Sequence, residues 1–169
     1  PAVTVSAAAF VPKPFTPFQW FGQDTIETLE KKQKLLKSSV TSRKLTVNYH
    51  GAETSFLEAV FARGDRRLSR AILEAVERGQ RLDGWDEFFR FDTWMEAFAA
   101  AGIDPDFYAA RRRPYDELLP WDHIDCGVSR AFLVRESEKA RAAETTPDCR
   151  TQCSGCGANR LGGKRSCCP

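Results

Sequence analysis

The chain has 169 residues, enough for one domain of ordinary size with a hydrophobic core. Hydrophobic residues make up 42% of it and charged residues 28%, which excludes an intrinsically disordered tail. The formal net charge of +2 is too small to indicate binding to nucleic acid or to a membrane surface. No apolar run approaches the roughly 20 residues of a membrane-spanning helix, so we expect no membrane partner.

The first fifty residues predict a strand, a loop, a helix and a second strand. Val3 and Val5 alternate with polar residues, and a proline-punctuated loop, FVPKPFTPFQW, follows. A helix is expected after a cap at Asp24, with Glu27 completing a capping box, and KLTVNYH returns to strand. Because a lone terminal strand cannot satisfy its backbone, we expect the chain to be the C-terminal part of a longer polypeptide.

The next hundred residues are predicted to be mostly helical. One helix is expected to bury an apolar face made of Leu68, Ile72, Ala75 and Val76. The expected caps and stops of the helices are Thr54 or Ser55, Gly79, Asp92, Gly102, Asp104 with Pro105 in the first turn, and Ser129.

Five of the six cysteines follow residue 148. A secreted disulfide framework would distribute its cysteines through the fold. Crowding at one end instead indicates a thiolate site in a reducing compartment, and we therefore expect a cytoplasmic protein.

Several motifs in fixed order resemble a known family. FVPKPFTPFQW is followed by FLEAVFARGDRRL, DGWDEFF, DPDFYA, LPWDHIDCGVSRAFLVRE and TPDCR…CSGCG, over residues 5–157. Together they resemble the C-terminal part of radical S-adenosylmethionine (radical SAM) proteins that carry a cobalamin-binding domain. The resemblance implies a cobalamin-binding domain, then a partial (β/α) barrel and a helical extension, with the cluster and cobalamin sites upstream of Pro1.

The fold expected from this resemblance is an α/β fragment that is mostly helical. Residues 1–50 would hold the last strand and helix of the radical SAM barrel, residues 51–146 a helical C-terminal extension, and residues 147–169 a Cys/Gly-rich tail. The expected partner is the upstream part of the same polypeptide, which would bind the [4Fe–4S] cluster, S-adenosylmethionine and cobalamin. This portion of the enzyme alone should hold none of these cofactors and should be inactive.

An alternative function stays open beside the enzyme. The chain could be a non-enzymatic helical module whose zinc-knuckle-like cysteine tail binds a protein or RNA. A third interpretation is a structural remnant without a metal.

The cysteine tail itself has three interpretations. Cys149, Cys153 and Cys156 are spaced C-x3-C-x2-C, and thiolates are ligands of Zn²⁺ and of iron–sulfur clusters. The tail could be a structural zinc or auxiliary iron–sulfur site, an inert tail, or the SAM-cleaving cluster. Too few residues follow Cys156 to enclose the nucleotide in a barrel, which disfavours the last of these.

A fourth thiolate ligand is not obvious. The resembling family has another cysteine shortly after the CG pair, where this chain has Ala158 and Asn159. Cys167 or Cys168 could supply the fourth thiolate instead, although the glycine-containing segment RLGGKRS separates them from the other cysteines.

Two further groups and one lysine are candidates for chemistry. Asp122, His123 and Asp125 could serve in acid–base catalysis or ligate a metal, but the two aspartates could equally accept backbone N–H bonds, and Cys126 is expected to be a small packed residue. The resemblance puts Lys13 at the barrel rim, where it could face a substrate together with Gln19. The ARGDRR segment offers Arg63, Arg66 and Arg67, which could bind an anion or pair with nearby carboxylates.

Overall fold

The structure is a computed structural model that describes residues 2–160. These residues form a mixed α/β fold that is mostly helical, as expected, with two strands and six α-helices. The strands are β1 (Val3–Ala7) and β2 (Leu45–Tyr49), and the helices are α1 (Ile26–Ser38), α2 (Ala52–Ala62), α3 (Leu68–Glu77), α4 (Phe91–Ala100), α5 (Pro105–Ala109) and α6 (Arg130–Arg141). A single 3-10 turn, Ala158–Arg160, follows α6. Two strands do not make a barrel, so the barrel assignment stays a prediction.

The two strands pair in parallel, which requires the crossover that α1 provides. Val3 lies opposite Leu45 and Val5 opposite Val47, so both strands present their apolar residues on the same face. The opposite face carries polar residues, namely Thr4, Ser6, Thr46 and Asn48. The predicted order of strand, loop, helix and strand is confirmed.

The chain forms two compact units, each discontinuous in sequence. The first comprises Pro1–Val11 and Gly22–Arg111, and the second comprises Pro12–Phe21 and Arg112–Pro169. The predicted division into residues 1–50, 51–146 and 147–169 stays a prediction.

The core of the first unit lies among α2, α3, α4 and α5. Helix α3 contributes Leu68, Ala71 and Ala75 to this core, spaced along one stripe of the helix. The prediction that Ile72 and Val76 are buried was wrong, because both are more than 40% exposed. Small alanines let the neighbouring helix α4 approach α3 closely, and the larger side chains point away from that contact.

The second unit has a smaller core of aromatic and leucine side chains. Trp20 is fully buried, and the ring of Tyr115 contacts it edge-on with centroids 5.0 Å apart. Leu119, Trp121 and Leu133 complete this cluster, which attaches α6 to the proline-rich loop.

Helix starts depend on local hydrogen bonds, and these confirm some predicted caps and correct others. Asp104 and Ser129 cap α5 and α6 as predicted, each accepting a bond from a backbone N–H two or three residues later. Thr25, not Asp24, caps α1, because its hydroxyl accepts the N–H of Thr28, while the Asp24 carboxylate pairs with Lys32 at 2.5 Å. Helix α2 begins earlier than predicted, after Gly51, since the N–H of Ser55 already bonds to the Gly51 carbonyl.

The remaining helix ends follow the glycines. Gly79 and Gly102, both with positive φ, follow α3 and α4 as predicted. Helix α4 begins at Phe91 after Arg90, so Asp92 lies in the first turn rather than at the cap.

Among residues 2–160, no helix combines the length and the apolar character needed to cross a membrane.

Candidate functional site

A cavity of about 330 Å³ in the second unit is lined by the predicted candidates Asp122, His123 and Asp125. Gln19 and Cys126 also line it, so the structure brings the PWDHID segment together with the proline-rich loop. Lys13 is not part of this lining, although it lies in the same unit and its side chain is exposed.

Asp122 holds the turn that precedes α6. Its Oδ2 accepts a bond from the N–H of Leu119 at 2.8 Å and another from Nη1 of Arg130 at 2.6 Å. The other terminal nitrogen of Arg130 donates to the carbonyls of Tyr115 and Glu117, at 2.7 and 2.8 Å. This arginine therefore braces three points of the segment, and Asp122 serves as its counter-ion.

Asp125 also bonds to the backbone, because its Oδ1 accepts from the N–H of Gly127 at 2.8 Å. Both aspartates thus accept backbone N–H bonds, as the structural interpretation of this segment predicts. His123 is exposed beside them at the cavity. A role for these three residues in acid–base chemistry stays a prediction.

Gln19 is buried and positions the proline-rich loop. Its Oε1 accepts bonds from Nε1 of Trp121 at 2.7 Å and from the N–H of Phe15 at 3.0 Å. Phe15 has a φ of 58°, a left-handed conformation that is unfavourable for a bulky residue. The bond from its N–H to Gln19 helps to hold this conformation, so the loop from Pro12 onward is a folded part of the second unit.

The cysteine tail contains a turn that directs the backbone N–H of Ala158 toward the sulfur of Cys156. Gly155 and Gly157 have φ values of 69° and 98°, and the N–H of Ala158 lies 3.4 Å from Sγ of Cys156. An N–H···S contact of this kind stabilises a thiolate and so suits a metal ligand. Cys149 and Cys153 are exposed, and Cys156 is half-buried.

The three thiols predicted as ligands do not meet in the structure. Within the described part of the chain, no three His, Cys, Asp or Glu side chains converge closely enough to hold a metal ion. Cys167 and Cys168, the predicted alternatives for a fourth ligand, lie outside the described residues. A metal at Cys149, Cys153 and Cys156 therefore stays a prediction.

The arginines of ARGDRR have separate roles. Arg63 is fully buried and donates to the carbonyls of Tyr108, Ala109 and Arg111, at 2.5, 2.6 and 2.7 Å. These partners lie at and just after the end of α5, more than forty residues away in the sequence. The spacing of residues in the sequence could therefore not identify them. Arg66 is exposed, and Arg67 rather than Arg66 pairs with Asp65.

The pairing with Arg67 changes the acidity of Asp65. Hydrogen bonds from the Arg67 guanidinium, helped by bonds from the Arg67 N–H and the Tyr108 hydroxyl, lower the pKa of Asp65 from 3.8 to about 2 against the opposing effect of burial. A carboxylate whose pKa is lower in the folded than in the unfolded state stabilises the fold at pH values above its unfolded-state pKa. This stabilisation is lost as the pH falls through the lower, folded-state pKa.

We expect Asp65→Asn to be less stable than the wild type at neutral pH and to become equally stable at low pH. The difference in free energy of unfolding should be constant above about pH 4 and should shrink toward zero near pH 2, as Asp65 becomes protonated. Urea unfolding at a series of pH values measures it. Asp86→Asn, on an exposed residue, is the control and should differ by less than about 0.5 kcal/mol throughout. A difference for Asp65→Asn that does not change with pH would contradict the assignment.

No protein-family model matches this chain, and no curated protein or solved structure is significantly similar to it. The resemblance to radical SAM proteins therefore rests on the sequence motifs alone.

Proposed function

We propose that the chain is the C-terminal portion of a radical SAM enzyme and that its β1–α1–β2 unit belongs to the sheet of that enzyme's barrel. The upstream polypeptide would bind the [4Fe–4S] cluster and S-adenosylmethionine, and cobalamin where the reaction includes methyl transfer. The group supplied by SAM cleavage is a 5′-deoxyadenosyl radical. The observation that carries the proposal is the exposed parallel pair of strands, read together with the sequence motifs.

A parallel pair is not a finished sheet. Parallel strands occur almost only in sheets whose two faces are both covered. Here Val3 is 51% exposed, Leu45 is 38% exposed, and among residues 2–160 no third strand pairs with β1 or β2. The exposure of this apolar face supports the proposal, because helices of a β/α barrel would cover such a face.

The polar face of the pair and the loop after β1 suit a barrel interior. Thr4 and Ser6 share one face with Thr46 and Asn48, and small polar side chains are suited to line a polar substrate site. In β/α barrels the active site opens at the carboxyl ends of the strands. Lys13 and the proline-rich loop follow the carboxyl end of β1 in sequence, as residues that contact substrate would.

The test is the upstream reading frame and the polypeptide it encodes. We expect it to encode a C-x3-C-x2-C motif within a β/α barrel, and we expect the longer polypeptide to form 5′-deoxyadenosine from S-adenosylmethionine under anaerobic reduction. The 169-residue chain alone should form none. A start codon directly before Pro1, or a longer polypeptide that forms no 5′-deoxyadenosine, would refute the proposal.

Val3→Asp provides a sharper test of the sheet within the longer polypeptide. Val3 is 51% exposed in this chain, so the change should not unfold the chain itself, but it would bury a charge where helices of the proposed barrel cover the face. Val76→Asp, on a valine of α3 that is 44% exposed, is the matched control. The proposal expects loss of 5′-deoxyadenosine formation for Val3→Asp alone.

One observation favours the alternative, a non-enzymatic module with a zinc-knuckle-like tail. The N–H of Ala158 lies 3.4 Å from Sγ of Cys156, the kind of contact that a metal-bound thiolate accepts. An upstream frame without the cysteine motif, together with tight zinc binding by this chain, would favour the module over the enzyme.

A further inference from the structure

Two short segments of the second unit have the same pattern of residues. HIDCG occupies residues 123–127 and CSGCG occupies residues 153–157, so each places a metal-ligating residue three positions before a Cys-Gly pair. The glycine after each second ligand has a positive φ, 80° for Gly127 and 98° for Gly157. Glycine adopts this conformation without steric cost and lets the backbone turn sharply behind the cysteine.

The two segments contact each other through these turns. The N–H of Ser129 donates to the carbonyl of Cys156 at 2.8 Å. A Cβ atom added to Gly157 would lie only 3.0 Å from the carbonyl oxygen of Gly127, so the two glycine turns are closely packed. The backbone of the second segment is further held by Arg135, whose Nη2 donates to the carbonyl of Ser154.

The polar groups around the segments suit a thiolate site. Sγ of Cys156 accepts a hydrogen bond from the N–H of Ala158, with the nitrogen and the sulfur 3.4 Å apart. Asp125 accepts the N–H of Gly127 and so holds the first turn closed between His123 and Cys126. Cys126 is half-buried at the cavity that His123 also lines.

We infer that His123, Cys126, Cys153 and Cys156 form a zinc site, with each segment contributing two ligands. Three thiolates and one imidazole are a tetrahedral ligand set of structural zinc, and two ligands separated by two residues are the usual spacing within each half of such a site. Zinc binding requires the four side chains to turn toward a common point, because no three of them converge among residues 2–160.

This ligand set differs from the one predicted from the cysteine spacing. It keeps Cys153 and Cys156 but replaces Cys149, which lies in the turn formed by residues 148–152, and the possible fourth ligand, Cys167 or Cys168, with His123 and Cys126, which precede α6. The bound zinc would fasten residues 153–157 to the N-terminal end of α6. The inference does not depend on radical chemistry, so it survives or fails independently of the proposed function.

The test is metal binding by the reduced 169-residue chain. Competition with a chromophoric chelator should show one zinc per chain, and Co²⁺ in its place should show the visible bands of tetrahedral cobalt with thiolate charge transfer. Cys126→Ser should weaken zinc binding by roughly 100-fold or more, because one of four ligands is lost. Cys149→Ser is the matched control and should bind zinc as the wild type does, as should the double variant Cys167→Ser, Cys168→Ser.

Replacing one proposed zinc ligand by a residue that can also bind zinc distinguishes loss of a ligand from loss of folding. His123→Cys should retain zinc, and its Co²⁺ complex should show charge-transfer intensity raised in the ratio of four thiolates to three. Absence of tetrahedral cobalt in the wild type, dependence of binding on Cys149 or on Cys167 and Cys168, or unchanged intensity in His123→Cys would each overturn the inference.

Discussion

Replacing Arg63 with methionine is expected to lower the free energy of unfolding of the first unit by about 3 kcal/mol. The guanidinium is fully buried and donates to the carbonyls of Tyr108, Ala109 and Arg111. Methionine keeps much of the apolar volume but leaves three carbonyls without this donor. Each charge-assisted bond contributes roughly 1.5–3 kcal/mol, and the three together exceed the several kcal/mol recovered by no longer burying the charge.

Urea unfolding and amide hydrogen exchange measure this effect. Exchange should accelerate most in α5 and the residues after it, because the lost bonds hold its C-terminal carbonyls. Arg66→Met is the matched control: Arg66 is exposed three positions along, and its replacement should change stability by less than about 0.5 kcal/mol. Equal stability of the two variants would show that the hydrogen bonds of the buried Arg63 contribute nothing to the free energy of unfolding.

Gly22→Ala is expected to destabilise the first unit by roughly 2–3 kcal/mol through overpacking. A Cβ atom at position 22 would lie 1.9 Å from the carbonyl oxygen of Ala110 and 2.7 Å from its carbonyl carbon. Both are backbone atoms, so no side-chain rotation relieves the clash. The adjacent residue cannot shift freely either, because the N–H of Gln23 donates to the Ala109 carbonyl at 2.9 Å and its side chain donates to the Ser55 carbonyl at 3.0 Å.

Gly84→Ala is the control for this substitution. Gly84 has no heavy atom within 4 Å of the added Cβ and no positive φ, so alanine should be neutral or slightly stabilising there. Thermal unfolding of the two variants beside the wild type gives the comparison. A Gly22→Ala variant as stable as Gly84→Ala would mean that the Gly22 and Ala110 backbones separate without cost.

Both substitutions act on the same place, the C-terminal end of α5. The carbonyl of Ala109 accepts from Arg63 and from the N–H of Gln23, while Ala110 contacts Gly22. A helix of five residues is too short to persist alone, so these contacts hold it in the first unit.

The local features of the fold could be read from the sequence because they depend on neighbouring residues. Asp104 followed by Pro105 starts α5, and Ser129 starts α6, since each cap is completed within three residues. The alternation of Val3 and Val5, and the same alternation in KLTVNYH, predicted the two strands for the same reason. Where two neighbouring residues could fill one local role, as Asp24 and Thr25 could, the sequence pattern did not distinguish them, and Thr25 is the cap.

The order of strands and helices and most of their ends thus follow from local patterns in the sequence. The candidate residues for chemistry come from the same patterns and stay predictions. The buried face of α3 depends instead on contacts between helices, since close packing against α4 selects Ala71 and Ala75 over the larger Ile72 and Val76. The bonds from Arg63 to carbonyls, and the contact of the Cys156 turn with Gly127 and Ser129, are likewise tertiary. These contacts join residues tens of positions apart, and a pattern of neighbours carries no information about such pairs.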